Sequence, residues 1–138
     1  LLSDIKKLFN NPKITYNYII EDKEQLLFID RSQIEQVLIN LLKNAEEACI
    51  ERTNPVIEIA TRYQQEKKLF SISITDNGHG ILPEVQDKIF VPFFTTKQRG
   101  SGIGLSLCKQ IMTLHGGSIS VKSEEGVGST FTLKFFCK

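Results

Sequence analysis

The chain has 138 residues, of which 41% are hydrophobic and 24% charged, so it is long enough to bury the core of one compact domain. Its net charge of +1 and its lack of a Lys/Arg cluster give no electrostatic reason to expect nucleic acid or an anionic membrane surface as a partner. No stretch approaches the roughly 18 apolar residues of a membrane span, and three widely spaced cysteines, an odd number, favour a reducing compartment.

The N-terminal part of the chain predicts one helix followed by two strands. Apolar residues at helical spacing predict a helix over 1–9, and the Asn-Asn-Pro stretch 10–12 would end it. Alternating residues predict a strand over 14–20, and a short apolar run predicts a second strand over 26–30. The residues between them, 21–24, are typical of a turn.

A long helix is predicted over 32–51, with Asp30 or Ser32 as its N-cap. Its core face comprises Ile34, Val37, Leu38, Leu41, Leu42, Ala45, Ala48 and Cys49. A polar line runs beside this face rather than opposite it, through Gln33, Gln36, Asn40, Asn44, Glu47 and Glu51. Asn is a mediocre helix former because its amide competes for backbone hydrogen bonds. Asn40 and Asn44, one turn apart at the edge of the core, therefore predict a ligand-binding edge.

Two strands and a short helix are predicted next. Alternation predicts strands over 56–63 and 69–75, joined by a charged hairpin at 64–68, so this part of the sheet should be antiparallel. A glycine-containing turn then leads through Pro83 into a short helix at about 84–89.

The last third of the chain predicts a loop, a helix and two strands. Residues 90–101 have neither helical nor strand periodicity but include three Phe, which is typical of a lid-like loop anchored by aromatic contacts. Gly102 and Gly104 should open a helix that ends before residues 115–117. Strands are predicted over 118–123 and 129–136. The buried side of this helix should comprise Leu105, Leu107, Cys108, Ile111, Met112 and Leu114.

Two polar motifs lie at the ends of these elements. The amide oxygens of Asn40 and Asn44 are hard, neutral ligands suited to Mg²⁺ or its waters, although an Asn on a helix edge is more often simply solvated. The carboxylate of Asp76, at the end of a strand, can accept a hydrogen bond from an exocyclic amino group. The sequence at 76–80, Asp-Asn-Gly-His-Gly, is also typical of an ordinary tight turn.

Two glycine-rich motifs complete the set. At 100–105, glycines alternate just before a helix, so backbone N–H groups and the helix dipole could bind phosphate, with Lys97 and Arg99 nearby. A flexible linker before a helix has the same pattern. Leu105 replaces the third glycine of a Rossmann fingerprint, and no Gly-Lys pair exists for a Walker A loop. Alone, residues 126–131 indicate only a hairpin turn.

In this order, the motifs resemble the catalytic, ATP-binding domain of sensor histidine kinases, a branch of the gyrase, heat-shock-chaperone and mismatch-repair ATPase superfamily. The resemblance spans about residues 26–136. Its five boxes are NLLKNAEEA at 40–48, DNGHGI at 76–81, FVPFFTTK at 90–97, GSGIGL at 100–105 and GVGSTF at 126–131.

The resemblance implies a Bergerat fold, which is a two-layer α/β sandwich with a mobile ATP lid. Its mixed, mostly antiparallel sheet should have about five strands covered by about three helices. ATP and Mg²⁺ are the implied cofactors, with Asn44 holding the metal and Asn40 assisting. The implied catalytic residues are Asn40, Asn44 and Lys97. The implied nucleotide contacts are Asn44, Asp76, Gly78, Gly80, Ile81, Phe90, Lys97, Arg99, Gly100, Gly102, Ile103, Gly104, Leu105 and Ser129.

Individual residues carry specific expectations. Asp76 should receive the adenine amino group, while Phe90, Phe93 and Phe94 would hold the base of the lid. Ser129 stands where the family usually has Thr, and it keeps the hydroxyl. Glu47 stands where many relatives have Lys, which puts more weight on Lys97 as a phosphate contact.

The choice between hydrolysis and phosphoryl transfer depends on one position. Related hydrolases have a Glu one turn before the metal-binding Asn, and this chain has Asn40 there, whose neutral amide cannot take a proton from water. Transfer from ATP·Mg²⁺ to a protein histidine is therefore expected. The alternatives are a serine kinase of the anti-sigma-factor type, a gyrase-like ATPase, and a degenerate nucleotide-binding module.

The acceptor histidine is expected outside this chain. His79 lies within the adenine turn, and His115 should cap a helix. Residues 1–138 should therefore be one catalytic and ATP-binding domain, whose residues 1–10 form a lead-in helix after a dimerisation and phosphoacceptor domain. The expected partners are ATP/ADP, that dimerisation domain and a response-regulator receiver domain, without nucleic acid or direct membrane contact. The fragment should be monomeric, its parent homodimeric, and its location cytoplasmic, which includes the cytoplasmic part of a membrane-anchored sensor.

Overall fold

The structure, a computed structural model, describes residues 2–20, 29–92 and 104–137. In chain order, the elements are α1 (Leu2–Leu8), β1 (Thr15–Ile19), α2 (Arg31–Cys49), β2 (Val56–Gln64), a 3₁₀ turn (Gln65–Lys67), β3 (Leu69–Asp76), α3 (Pro83–Gln86), α4 (Gly104–Leu114), β4 (Ser118–Glu124) and β5 (Gly128–Phe136).

These strands form one sheet in the order β1-β2-β3-β5-β4. β1 pairs with β2 in parallel, and the three remaining pairs are antiparallel. β1 and β2 can be parallel because the connection between them includes the long helix α2, which brings the chain back to the end of the sheet where β1 began. The predicted mixed, mostly antiparallel α/β sandwich is confirmed.

One face of the sheet packs against the helices. Ile57 and Ile59 of β2, Ile74 of β3 and Leu133 of β5 are all buried, and register places Ile74 opposite Ile59 on the same face. The predicted core face of α2 covers them, and its buried residues are Ile34, Val37, Leu38, Leu41, Leu42, Ala45 and Cys49. The side chain of Asp30 caps α2 by accepting from the backbone N–H of Gln33 at 3.1 Å.

Some sequence expectations differ from the fold. Leu114 is 72% exposed rather than buried, because at about 100° per residue it lies to one side of the arc that Cys108, Ile111 and Met112 bury. The short helix spans only Pro83–Gln86, and turns continue it to Phe90. For the strand expected over 26–30, residues 26–28 lie outside the described part of the chain, and Ile29 and Asp30 are in no strand.

Candidate functional site

Asp76, the last residue of β3, is a buried carboxyl, only 5% exposed. The register places it between Ile57 of β2 and Ser129 of β5, on the face of the sheet that packs against the helices. Its Oδ1 accepts from the backbone N–H of Gly78 at 2.8 Å. Burial raises the pKa of the Asp76 carboxyl, and the Gly78 N–H, His79 and the backbone of Ser129 offset part of that rise. Fixed in this way, the carboxyl retains oxygen lone pairs for another donor.

The turn after Asp76 packs directly against a second turn of the chain. Gly80 has φ of +76°, and a Cβ there would be 2.2 Å from the carbonyl oxygen of Glu124. Gly128 has φ of +149°, and its Cβ would be 2.1 Å from the carbonyl oxygen of Asp76. A hydrogen bond of 2.7 Å from the Gly126 N–H to the His79 carbonyl joins the turns as well. We call the turns at 76–80 and 124–129 the turn cluster.

Helix α2 closes the other side of the turn cluster. A Cβ on Gly78 would be 2.4 Å from the carbonyl oxygen of Ala48, in the last turns of α2. That same carbonyl accepts from the His79 N–H at 3.3 Å. The fold itself therefore requires Gly78 and Gly80, the glycines predicted to shape an adenine slot, because backbone atoms already occupy the space that a side chain would need.

Ser129 and Ile81 meet through Ser123 on β4. The Oγ of Ser129 is 2.8 Å from the Oγ of Ser123, which also accepts from the N–H of Ile81 at 2.7 Å. Ser129 is 6% exposed and Ser123 is half-buried, so this hydroxyl pair is partly shielded from solvent. Sequence motifs did not single out Ser123, because its role depends on the antiparallel pairing of β4 with β5.

Asn40 and Asn44 are half-buried on α2, beside the core face, as the helical periodicity predicted. The amide nitrogen of Asn40 donates weakly to the sulfur of Cys108 on α4, over 3.7 Å. Burial raises the pKa of the Cys108 thiol to about 11. Helix α4 begins at Gly104, where a Cβ would meet no described atom within 4 Å, and Leu105 next to it packs partly against the core. We call Asn40, Asn44 and the first turn of α4, 104–107, the helix edge.

Several predicted site residues lie outside the described part of the chain. Phe90 is described, and its ring contacts that of Phe131 edge to face, with centroids 6.4 Å apart, which fits the predicted aromatic anchor. The predicted residues outside the described ranges are Phe93, Phe94, Lys97, Arg99, Gly100, Gly102 and Ile103.

Two residues that hold the turn cluster were not among the predicted site residues. The Nη2 of Arg52, just after α2, donates to the carbonyl oxygens of Gly78 at 2.8 Å and Gly126 at 2.7 Å. Asn77 accepts from the Val56 N–H at 2.9 Å and donates to the carbonyl of Asn54 at 2.7 Å. The Asp-Asn-Gly turn was a signal for Asn77, whereas nothing near Arg52 in the sequence indicates which carbonyls it reaches.

Both histidines make local hydrogen bonds. His79 Nδ1 is 2.7 Å from the carbonyl oxygen of Gly80. His115 Nδ1 is 2.8 Å from the carbonyl oxygen of Ile111, and its Nε2 accepts from the Asp30 N–H at 2.9 Å. A ring protonated at Nδ1 alone satisfies both bonds of His115. This residue therefore caps α4, as predicted, and also connects the end of α4 to the start of α2.

The fold and the site define the class, a two-layer α/β sandwich in which a buried carboxyl and two packed glycine turns lie beside one helix. Residues 29–137 match the family described as histidine kinase-, DNA gyrase B-, and HSP90-like ATPase. The chain belongs to this family. In the described ranges, no helix has the length and apolar character needed to cross a membrane.

The most similar characterised proteins include several sensor kinases. The sensor histidine kinase ZraS of Escherichia coli (strain K12) is 39% identical over 124 residues, which are 90% of this chain and 26% of ZraS. The signal transduction histidine-protein kinase AtoS of the same strain is 48% identical over 104 residues, 75% of this chain and 17% of AtoS. Sporulation kinase D of Bacillus subtilis (strain 168) is 36% identical over 89% of this chain and 23% of its own length. The chain thus spans about a quarter or less of these relatives.

Solved structures agree with this assignment. The nucleotide-free catalytic domain of histidine kinase ThkA has a TM-score of 0.77 and 33% identity, covering 97% of this chain and 84% of that domain. ThkA in complex with the response regulator protein TrrA has a TM-score of 0.75 and 31% identity, covering 99% of this chain and 37% of that one. The chain is therefore homologous to the catalytic domains of sensor histidine kinases.

Proposed function

We propose that this chain is the ATP-binding catalytic domain of a sensor histidine kinase and transfers the γ-phosphoryl group of ATP·Mg²⁺ to a histidine on another domain. Within the domain, 1–138, residues 1–10 would be the lead-in from a dimerisation domain. The observation that carries the proposal is the buried Asp76 carboxyl, held by the Gly78 N–H at the end of β3. Desolvating a carboxyl is costly, and a buried acceptor with lone pairs to spare is suited to a ligand donor.

At the nucleotide base, Asp76 accepts from the exocyclic amino group of adenine. Gly78 and Gly80 form the adjoining wall, and Ile81 and Phe90, both packed partly against the core, provide apolar surface next to it. Ser129 supports Asp76 from β5, because the register places the two residues opposite each other. An amino group is required for this contact, so guanine, which presents a carbonyl at the same ring position, should bind worse.

At the phosphates, Asn44 holds Mg²⁺ through its amide oxygen and Asn40 assists. Half-buried amides fit this ion, because Mg²⁺ prefers oxygen ligands and keeps waters and phosphate oxygens in its shell. When bound, Mg²⁺ offsets the charge of the phosphoryl group in transfer. We assign phosphate contacts to Lys97, Arg99 and the start of α4, where backbone N–H groups favour anions. These last contacts comprise Gly100, Gly102, Ile103, Gly104 and Leu105.

Transfer is favoured over hydrolysis by the chemistry of Asn40. Its amide nitrogen is turned toward the Cys108 sulfur, and neither end of an amide serves as a general base for water. An imidazole nucleophile needs no such base, since its unprotonated nitrogen attacks directly. Appreciable ATP turnover without a protein acceptor would instead favour a gyrase-like ATPase. Acid-stable labelling of a serine acceptor would favour an anti-sigma-factor type of kinase.

The acceptor histidine belongs to another segment of the parent protein. His79 and His115 both make hydrogen bonds within the fold, and the relatives are about 3.5 to 4.5 times as long as this chain. By analogy with ThkA, which has been solved with a response regulator, a receiver domain is the second partner. We propose a monomeric domain in a cytoplasmic, homodimeric parent, without nucleic acid or direct membrane contact.

Titration of the chain with Mg·ATP, with and without Asn44→Ala, tests the proposal. Wild type should bind, and Asn44→Ala should weaken affinity by about tenfold or more because an oxygen ligand of Mg²⁺ is lost. Asn17→Ala, an exposed Asn on β1, is the matched control and should leave affinity unchanged. Equal affinity of wild type and Asn44→Ala, or no binding by wild type, would favour a degenerate module.

A labelling experiment tests the acceptor. The chain alone should incorporate almost no label from γ-labelled ATP. With the parent protein's dimerisation domain added in trans, that domain should acquire acid-labile, base-stable label. Substantial labelling of the chain alone would contradict the acceptor assignment.

A further inference from the structure

One arginine connects the two turns on either side of Asp76. The Nη2 of Arg52 donates to the carbonyl oxygen of Gly78 at 2.8 Å and to that of Gly126 at 2.7 Å. These carbonyls are 48 residues apart in sequence and belong to different turns of the turn cluster. Because a single nitrogen serves both, its position fixes the separation of the two turns.

Each of these hydrogen bonds leads to Asp76 by one further step. Gly78 is held on both sides, since its carbonyl accepts from Arg52 while its N–H donates to the Asp76 carboxylate at 2.8 Å. Gly126 precedes Gly128, whose α-carbon lies so close to the Asp76 carbonyl that a Cβ would be 2.1 Å away. Arg52 thus acts on the donor that orients the carboxylate and on the turn that packs against its backbone.

The other hydrogen bonds of the turn cluster do not duplicate those of Arg52. His79 joins the turn to α2 and to Gly126 through backbone groups, and Asn77 joins it to the segment before β2. The side chain of Arg52 binds carbonyls of both turns, and Gln86 makes a similar pair of bonds to the adjoining carbonyls of Ile81 and Ser123. Arg52 is exposed at the protein surface, so its guanidinium reaches the two turns from outside.

We infer that Arg52 is a positioning residue for the adenine end of the nucleotide site and thereby helps to set adenine specificity. This inference rests on the proposed function, because it assigns the Asp76 carboxylate to the adenine amino group. A purely structural arginine would change the binding of all nucleotides alike. A positioning residue for Asp76 changes the binding of ATP more than that of GTP, whose base offers no amino group at that ring position.

The test compares Arg52→Met, Arg52→Lys and a control, Arg62→Met, which removes another exposed arginine on β2. Affinities for Mg·ATP and Mg·GTP are measured by titration calorimetry or by competition with a fluorescent adenine nucleotide. Arg52→Met should weaken Mg·ATP about tenfold and Mg·GTP less than about twofold, which lowers discrimination. Arg52→Lys should restore most of the loss, since one ammonium can donate to both carbonyls. Arg62→Met should match wild type.

A second experiment measures the local stability of the two turns in the absence of nucleotide. Amide hydrogen exchange of Gly78 and Gly126 should accelerate in Arg52→Met and return toward wild type in Arg52→Lys. If Arg52→Met does not fold at the assay temperature, Arg52→Gln replaces it, because its shorter neutral amide reaches at most one carbonyl and should give an intermediate ATP-selective loss.

The outcomes separate this inference from the proposed function. If wild type binds Mg·ATP but Arg52→Met loses ATP and GTP affinity equally, or loses neither, only the role of Arg52 is overturned. No rescue by Arg52→Lys would also overturn it. Wild type that fails to bind Mg·ATP would overturn both.

Discussion

At Gly80 and Gly128, backbone oxygens already lie 2.2 and 2.1 Å from where a Cβ would be, whereas at Gly104 a Cβ would meet no described atom within 4 Å. The turn cluster and the helix edge therefore contain the same residue type for different physical reasons. In the turn cluster, glycine lets two backbone segments pack together. At the helix edge, packing against the described residues does not require glycine at position 104, so we attribute it to what approaches the start of α4.

The polar residues of the two regions differ in the same way. Asn77 and Arg52 bind backbone groups of neighbouring segments, so the fold itself explains them. Within the described part of the chain, the contact of Asn40 is a weak one with the Cys108 sulfur, over 3.7 Å. Substitutions of Asn77 and of the packed glycines in the turn cluster should therefore act mainly on stability, and substitutions at the helix edge mainly on binding.

The largest effect is expected from Gly80→Ala. The new Cβ would overlap the Glu124 carbonyl, and φ of +76° is unfavourable for alanine, so the free energy of unfolding should fall by about 3 kcal/mol. Urea denaturation measures it. Gly104→Ala is the matched control at the helix edge and should change the same quantity by less than about 0.5 kcal/mol. A similar loss in both variants would remove the contrast between the two regions.

Asn77→Ala should lower the free energy of unfolding by about 2 kcal/mol. It removes two hydrogen bonds to backbone and leaves the half-buried Val56 N–H without its acceptor. Chemical denaturation of this variant beside Asn17→Ala, which changes an exposed residue of β1, isolates the effect. If the two variants were equally stable, Asn77 would not hold the turn.

Asn40→Ala should leave the free energy of unfolding within about 0.5 kcal/mol of wild type. Its hydrogen bond to the Cys108 sulfur is weak, and alanine is the better helix former. Mg·ATP affinity should nevertheless fall severalfold. A stability loss as large as that of Asn77→Ala, with unchanged affinity, would assign Asn40 to packing.

The smallest change in the free energy of unfolding is expected from Asp76→Asn. Its effect is recognised by how that change varies with pH. Burial raises the pKa of the Asp76 carboxyl, so the folded state holds its proton more tightly than the unfolded state does. Below the usual Asp value of about 3.9, both states are protonated and ionisation costs nothing. As pH rises through the raised pKa, ionisation increasingly lowers the stability of wild type but not that of the variant.

Denaturation at several pH values checks this sign. The difference in unfolding free energy, Asp76→Asn minus wild type, should shift in favour of the variant from about pH 4 toward neutrality and then level off. Mg·ATP affinity should fall in the same variant. A difference that is constant with pH would mean that the Asp76 carboxyl ionises without cost in the folded protein.

Periodicity predicted most of the elements because their burial is regular along the sequence. The core face of α2 alternates with the helical repeat, and β2, β3 and β5 alternate between core and open face, so neighbouring residues suffice to recognise them. Leu114 was misplaced because the apolar face of α4 is wider than the arc of Cys108, Ile111 and Met112 that is buried, and Leu114 lies at its edge.

The helix edge could be predicted as a polar line beside an apolar face, because Asn40 and Asn44 share one helix and their positions follow from its geometry. The motif order was likewise enough to indicate the family. By itself, then, the sequence determined the α/β class, the helix edge and the kinship with histidine kinase catalytic domains.

Only the tertiary structure decided how the turn cluster is held. Arg52, Gly78 and Gly126 come together because antiparallel pairing of β3 with β5 and packing of α2 bring distant turns to one place. The residues around Arg52 in the sequence do not indicate which distant carbonyls it will bind, since every residue has a backbone carbonyl. The physical reason is that backbone-to-backbone contacts depend on where the chain returns, and this is set by the whole fold.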